Sequence, residues 1–205
     1  MSDALRIGIP VKKLRPTQMT AGFREVELKR EEWRRAGRKH QPELLRKHVV
    51  PVVLGPGKAP YIVDHHHFAL ALLEEKAGDV AVYLLADLSH LPGPEFWTFL
   101  DNSAWCHAYD AKGRRCDLED IPKRLSQLAD DPFRSLVGSL IRDGKVAKTE
   151  KPFFEFLWAD FLRNRLDHAL VDDHYAKAVK LAAKIASGDA AKDLPGWCGA
   201  NDGGT

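Results

Sequence analysis

Three consecutive imidazoles follow a carboxylate in Asp64-His65-His66-His67, and the apolar patterns on either side give this run its chemistry. Tyr61, Ile62 and Val63 are strand formers, whereas Phe68-Ala-Leu-Ala-Leu-Leu73 is apolar on nearly every helical face and predicts a buried helix. The junction reads as strand, tight turn at Asp64, then a helix whose first turn carries the histidines. Such a turn exposes backbone N–H groups with no acceptor inside the helix, together with the positive end of the dipole, so it attracts anions. Imidazoles there add donors, or a general acid or base titrating near neutral pH. Asp64 can cap the helix, orient a histidine, accept a proton or hold a phosphate-bound Mg²⁺. A plain capped helix with surface histidines is the competing reading, although capping explains one aspartate and not three imidazoles. Transition-metal binding is disfavoured. Consecutive helical residues point about 100° apart, so at most two of the rings converge, and His-x-x-x-His spacing is missing. The run is internal and flanked by patterned sequence, unlike an expression tag.

Other chemistry-bearing residues are less well grouped. Cys106 adjoins His107, but neighbours on one element rarely face each other, so a buried or idle thiol is expected. Three cysteines (Cys106, Cys116, Cys198) without C-x-x-C spacing disfavour a disulfide scaffold or a four-cysteine zinc site and fit a reducing cytoplasm. The five tryptophans lie in separate elements and read as packing rather than a base-stacking surface. Asp130, Asp131 and Arg134 can reach the site from a later helical region, with Asp131 equally well explained as a cap. Lys148, in a polar loop, is a further candidate cation.

The elements that must position these groups divide the chain in two. At 205 residues, 44% hydrophobic and 29% charged, it can build one full core or two small ones. No apolar run reaches about 18 residues, so no membrane span is expected. The first residues lack a basic stretch followed by an apolar one, so no signal peptide is expected. The first half alternates strand and helix: a strand at Ile7–Val11, a helix from about Phe23 to Ala36 stopping near Gly37, and a short helix at Pro42–Lys47. Strands at Val49–Leu54 and Pro60–Val63 then flank the turn-forming Gly55–Ala59, with Pro51 arguing for an edge or strand-end position. A helix at His65–Lys76 and a strand at Val80–Leu85 complete this half. The second half predicts helices only, at Pro94–Trp105, Pro122–Leu128, Pro132 to Gly144, Phe154–Leu162 and Tyr175–Ser187. The class is therefore α+β: a small mixed sheet with helices over residues 1–90, a helical region packed on it over 91–198, and a flexible tail at 199–205.

Charge is uneven. Residues 1–48 hold 13 Lys and Arg against 6 Asp and Glu, whereas residues 49–205 hold 18 against 23. The excess lies mainly in Arg24 to Lys47, where acids interleave with bases at i,i+4 (Glu25/Lys29, Glu31/Arg35), as on a solvated helix face. The alternative is a docking face for nucleic acid, which would normally carry a clearer basic excess and interleaved aromatics.

Ile62-Val-Asp-His-His-His-Phe-Ala-Leu-Ala71 resembles the Asp-Gly-His-His-Arg signature of the ParB/sulfiredoxin superfamily, in particular its ParB-like nuclease branch. Leu14-Arg-Pro-Thr-Gln-Met-Thr-Ala-Gly-Phe-Arg-Glu-Val26 is similar to that branch's first motif. Asp130-Asp-Pro-Phe-Arg-Ser-Leu136 and Pro152-Phe-Phe-Glu-Phe-Leu-Trp-Ala-Asp160 extend the likeness over most of the chain. The resemblance implies a small α+β fold that binds nucleotide or phosphate at the helix after the signature, with chemistry that differs among members: CTP-dependent clamp formation, ATP-dependent sulfinic acid reduction, or nucleotide-dependent phosphorylation of free serine. The departures are informative. His65 replaces a usual glycine, so a glycine conformation is not expected in the turn. Phe68 replaces an arginine that often contacts phosphate. The Gly-Glu-Arg-Arg motif of partitioning proteins and the Gly-Gly-Cys-His motif of sulfiredoxins are both absent.

The serine-kinase-like group is the nearest analogue. By that resemblance Asp64, His66 and Glu25 are the candidate catalytic residues, with Glu27 or Gln18 as alternatives to Glu25. His65, His67, Thr17 and Gln18 are the candidates for phosphate or nucleotide binding. The expected cofactor is ATP, ADP or CTP with Mg²⁺, and the expected partner a nucleotide or phosphorylated small molecule. Two other readings stay open: a nucleic-acid-binding protein or nuclease docking through Arg24–Lys47, and a ligand-sensing module without turnover.

Overall fold

The computed structural model describes residues 6–199, and the chain divides into two units between Asp130 and Asp131. The division falls well beyond residue 90, because residues 91–130 pack with the sheet. Phe96, Leu100, Cys106, Ala108 and Ile121 share one buried cluster with Val53 and Tyr61 of the strands. The expected tail lies outside the described residues except for Gly199.

In the first unit the elements are β1 (Arg6–Pro10), β2 (Thr20–Ala21), α1 (Phe23–Lys47), β3 (Val50–Gly55), β4 (Ala59–Ile62), α2 (His66–Glu74), β5 (Asp79–Asp87), α3 (Gly93–Asn102) and β6 (Ala129–Asp130). Four strands form a mixed sheet in the order β1-β5-β3-β4, and the short β2 and β6 pair separately in parallel. The β3–β4 hairpin is antiparallel, with Val52 opposite Ile62. Side chains alternate across a strand, and β3 uses both faces: Val50 and Val52 join the cluster containing Phe68, Leu70 and Leu72 of α2, whereas Val53 joins the cluster containing Phe96 of α3. Both faces are covered, which explains why β3 is an apolar run rather than a half-polar one. Gly55 has no room for a side chain, since a Cβ there would lie 2.7 Å from the rings of Phe96 and Tyr61.

Several expectations need correction. Pro51 takes the strand-end alternative, as the second residue of β3, and not the edge, since β3 is an interior strand; it precedes the first β3–β4 pair, and its carbonyl accepts the Val63 N–H at 3.1 Å. Gly37 does interrupt α1 (φ 58°, ψ 171°), but helix resumes directly after it and Pro42 lies inside the second segment. Residues 122–128 form no α-helix; single 3-10 turns occupy Leu118–Asp120 and Leu125–Gln127.

The second unit is helical: α4 (Pro132–Arg142), α5 (Phe154–Arg163), α6 (His168–Asp173) and α7 (Tyr175–Ala186). Asp131 caps α4 by accepting the Phe133 N–H at 3.0 Å, with Pro132 in the favoured first position. The short α6, which periodicity does not predict, starts at another cap where Asp167 accepts the Ala169 N–H at 2.9 Å. Phe133, Leu136, Val137 and Leu140 of α4 meet Trp158 and Leu162 of α5 and the small Ala178, Ala182 and Ala186 of α7 in one core. The class is α+β, as expected.

Candidate functional site

The site begins where β4 ends. Tyr61 and Ile62 are buried, and the chain then turns through exposed Asp64 into α2. His65 is the residue before the helix and takes the left-handed conformation (φ 63°, ψ 26°). The turn therefore uses the glycine conformation after all, at a cost of about 1–2 kcal/mol for a residue with a Cβ. Neighbouring rings surround it: His48 lies edge-on to His65 at 5.9 Å between centroids and packs on Phe68 at 4.9 Å. Asp64 does not cap α2. Its Oδ1 accepts the N–H of His65 at 2.6 Å, and no side chain caps the helix.

The other two histidines point back into the protein. Thr17 donates its N–H to Nε2 of His66 at 3.1 Å, and Gly22 donates its N–H to Nε2 of His67 at 3.0 Å. A nitrogen that accepts must be unprotonated, so each ring holds its proton on Nδ1. His66 is 3% exposed and His67 half-buried. They hold the segment before α1 against the first turn of α2.

That segment behaves as an extra strand. The Arg15 N–H donates to the Pro60 carbonyl and the Ile62 N–H to the Arg15 carbonyl, each at 2.9 Å. The buried Thr17 donates Oγ1–H to the Ile62 carbonyl at 2.8 Å and accepts the His107 N–H on its own carbonyl at 2.8 Å. Gln18, 7% exposed, pairs with His107 in an isolated bridge, and Met19 accepts the Ala129 N–H at 3.0 Å. Thr17 and Gln18 are thus buried, and the N–H, hydroxyl and carbonyl of Thr17 each meet a protein partner.

Where β2 hands over to α1, the N-cap is Gly22, which carries no side chain, and the carboxylate of Asp130 accepts the Phe23 N–H at 2.7 Å instead. The dipole end of α1 therefore already faces a negative charge, whereas α2 starts without a side-chain cap. Glu25 lies in the first turn of α1 and is half-buried. The structure thus gathers Thr17, His66, His67, Glu25 and Asp130 around the joined starts of two helices, with Asp64 and His65 at the turn. His48 and His107 carry no local signal that would have marked them, because both act through long-range packing or a backbone N–H.

Residues 7–164 match the family described as "Putative ParB-like nuclease". The chain belongs to that ParB-like family. It is also similar to the crystal structure of protein Atu1540 from Agrobacterium tumefaciens, with 47% identity over 95% of this chain and 98% of that one, at a TM-score of 0.88. No curated protein matches it.

The remaining candidates of this ParB-like chain are engaged with partners of their own or lie in the second unit. Arg134 is buried in the second unit, paired with Glu155 at 3.0 Å and stacked on Phe156, and Asp131 pairs with Arg163 at 2.6 Å. Lys148 is an exposed loop residue of that unit. Cys106 is a buried free thiol, which burial, with the Asp101 charge adding to it, pushes up to about 12. Among the described residues no group of three or more His, Cys, Asp or Glu is placed to hold a metal, and no helix is long and apolar enough to cross a membrane. The cations of α1 are largely paired: Lys29 with Glu32, Arg30 with Glu27, Glu74 and Glu75, Arg34 with Glu27 and Glu75, Arg35 with Glu31 and Lys47 with Glu43. Glu27, Glu31, Glu32 and Glu43 of α1, with Glu74 and Glu75 at the end of α2, offset those five cations and weaken the pull of that part of the face on a polyanion.

Proposed function

We propose that the first turn of α2 binds the phosphate groups of a nucleotide or phosphorylated small molecule, and that the protein carries out phosphate chemistry there, transfer to a small acceptor being the leading reaction. The observation that carries this reading is the left-handed His65 turn at the uncapped start of α2. Strained backbone at a strand-to-helix junction is retained where the surrounding structure enforces it, often at binding sites, and an uncapped helix start favours anions. Asp64 and His65 face the ligand; His66, His67 and Thr17 hold the scaffold beneath it. Mg²⁺ is typically held by one or two carboxylates together with phosphate oxygens, and exposed Asp64 fits that need. When bound, the ion neutralises phosphate charge; Asp64 holds it or accepts the acceptor's proton, and Glu25 orients the acceptor. Phosphoryl transfer needs chiefly alignment and charge neutralisation, so this small set of residues suffices.

Calorimetric titration with ATP, ADP and CTP, each with and without Mg²⁺, tests the proposal. Binding that weakens in Asp64→Asn when Mg²⁺ is present supports it, and a flat titration for all three nucleotides removes it. The family's description favours one second reading, hydrolysis of a phosphodiester at the same turn. Product analysis after incubation with a labelled oligonucleotide separates that from transfer.

A further inference from the structure

The helix best suited to a polyanion is not the one whose composition points that way. From Tyr175 to Ser187 α7 contains no acidic residue, and Lys177, Lys180 and Lys184 are all exposed. At 100° per residue these three lysines share an arc of about 60°, spread over about 10 Å of helix. None of them forms an ion pair among the described residues, in contrast to Lys29, Arg30, Arg34, Arg35 and Lys47 of α1. Lys145 extends the ridge, since it lines one cleft of about 220 Å³ together with Lys184. Acids occur only beyond the ends, at Asp172 and Asp173 before the helix and Asp189 after it.

The opposite face of α7 is committed to the core through Ala178, Ala182 and Ala186, all fully buried. That leaves Leu181, 39% exposed, as its exposed large apolar side chain. A helix that lies in a membrane surface must bury a whole apolar face, and α7 has none to spare. A row of unpaired cations about 10 Å long suits a nucleic-acid backbone, read without regard to sequence.

We infer that the Lys177–Lys180–Lys184 ridge of α7 is a docking surface for the phosphate backbone of nucleic acid. It uses none of the residues proposed for the phosphate site at α2 and does not depend on that proposal. The test is fluorescence anisotropy of a short labelled DNA duplex of arbitrary sequence, titrated with the full chain at several salt concentrations. With three lysine–phosphate contacts, affinity should fall about 40-fold between 50 and 200 mM salt. K177E/K180E/K184E should abolish binding at low salt while keeping wild-type melting and nucleotide titrations, whereas R38E/K39E/R46E on α1 should bind like wild type. The inference is overturned if wild type does not bind the duplex, if the α7 variant binds unchanged, if the α1 variant loses binding instead, or if phosphatidylserine vesicles compete more strongly than an equal concentration of unlabelled duplex phosphate.

Discussion

At the scale of single residues, the turn before α2 makes a prediction that ordinary intuition about conservative substitution would reverse. His65→Gly removes the Cβ from a left-handed backbone and should raise the melting temperature, whereas the β-branched His65→Val should lower it below wild type. Thermal denaturation that ranks valine at or above glycine would show that the turn is not strained as described. His66→Ala acts differently, because it strands the Thr17 N–H, a buried donor whose acceptor is Nε2 of His66. The expected loss is about 1–3 kcal/mol, read from the urea midpoint. Cys106 completes the residue scale. With its thiol pushed up to about 12, it should resist alkylation in the native protein at pH 8, while the exposed Cys198 reacts. A buried thiol retains its proton where the unfolded chain would lose it. Its contribution therefore declines as pH climbs from the ordinary 9.0 toward 12, and Cys106→Ala should flatten that decline.

Between elements, the contact of α1 with α2 is tested through Glu75. Arg34, and after it Arg30, hold the Glu75 carboxyl below the usual carboxylate range. A lowered carboxylate stabilises the fold above its unfolded value of about 4.5 and loses that contribution as pH falls through the lowered value. Glu75→Gln should therefore be less stable than wild type at pH 7 and indistinguishable from it in strong acid, when the two urea curves are compared. Gly55→Ala should destabilise the hairpin against α3, since the added methyl meets two rings with no room to retreat. Element scale is also where sequence reading succeeded and failed in distinguishable ways. Periodicity found α4, α5 and α7, and strand-forming runs found β3, β4 and β5, because those segments carry their own pattern. Composition misjudged residues 122–128, where a proline start resembles a helix but the chain forms only tight turns, and missed α6, which is six residues long and defined by its cap. At the site, the junction itself was legible from Tyr61 to Leu73. The roles within it were not, because a histidine that accepts from Thr17 and one that faces solvent look alike in sequence; only contacts 45 or more residues apart separate them. Likewise α1 read as basic because its partners Glu74 and Glu75 belong to another helix.

For the molecule as a whole, the first unit is closed by its own last residues. The stretch around Leu14–Ala21 takes one set of hydrogen bonds from β4, another from His107 and a third from Ala129, so pairings that span most of the unit must all form before the histidine clamp is complete. Contacts so distant along the chain slow folding, since loop closure must precede any gain from them. During synthesis the opening motif emerges early and waits, unmatched, until some hundred further residues have left the ribosome. Any fragment ending before Ala129 would therefore display β4 and α2 with their partner segment only partly secured, and nascent chains stalled in that interval are where a protease or a chaperone should find this protein most accessible.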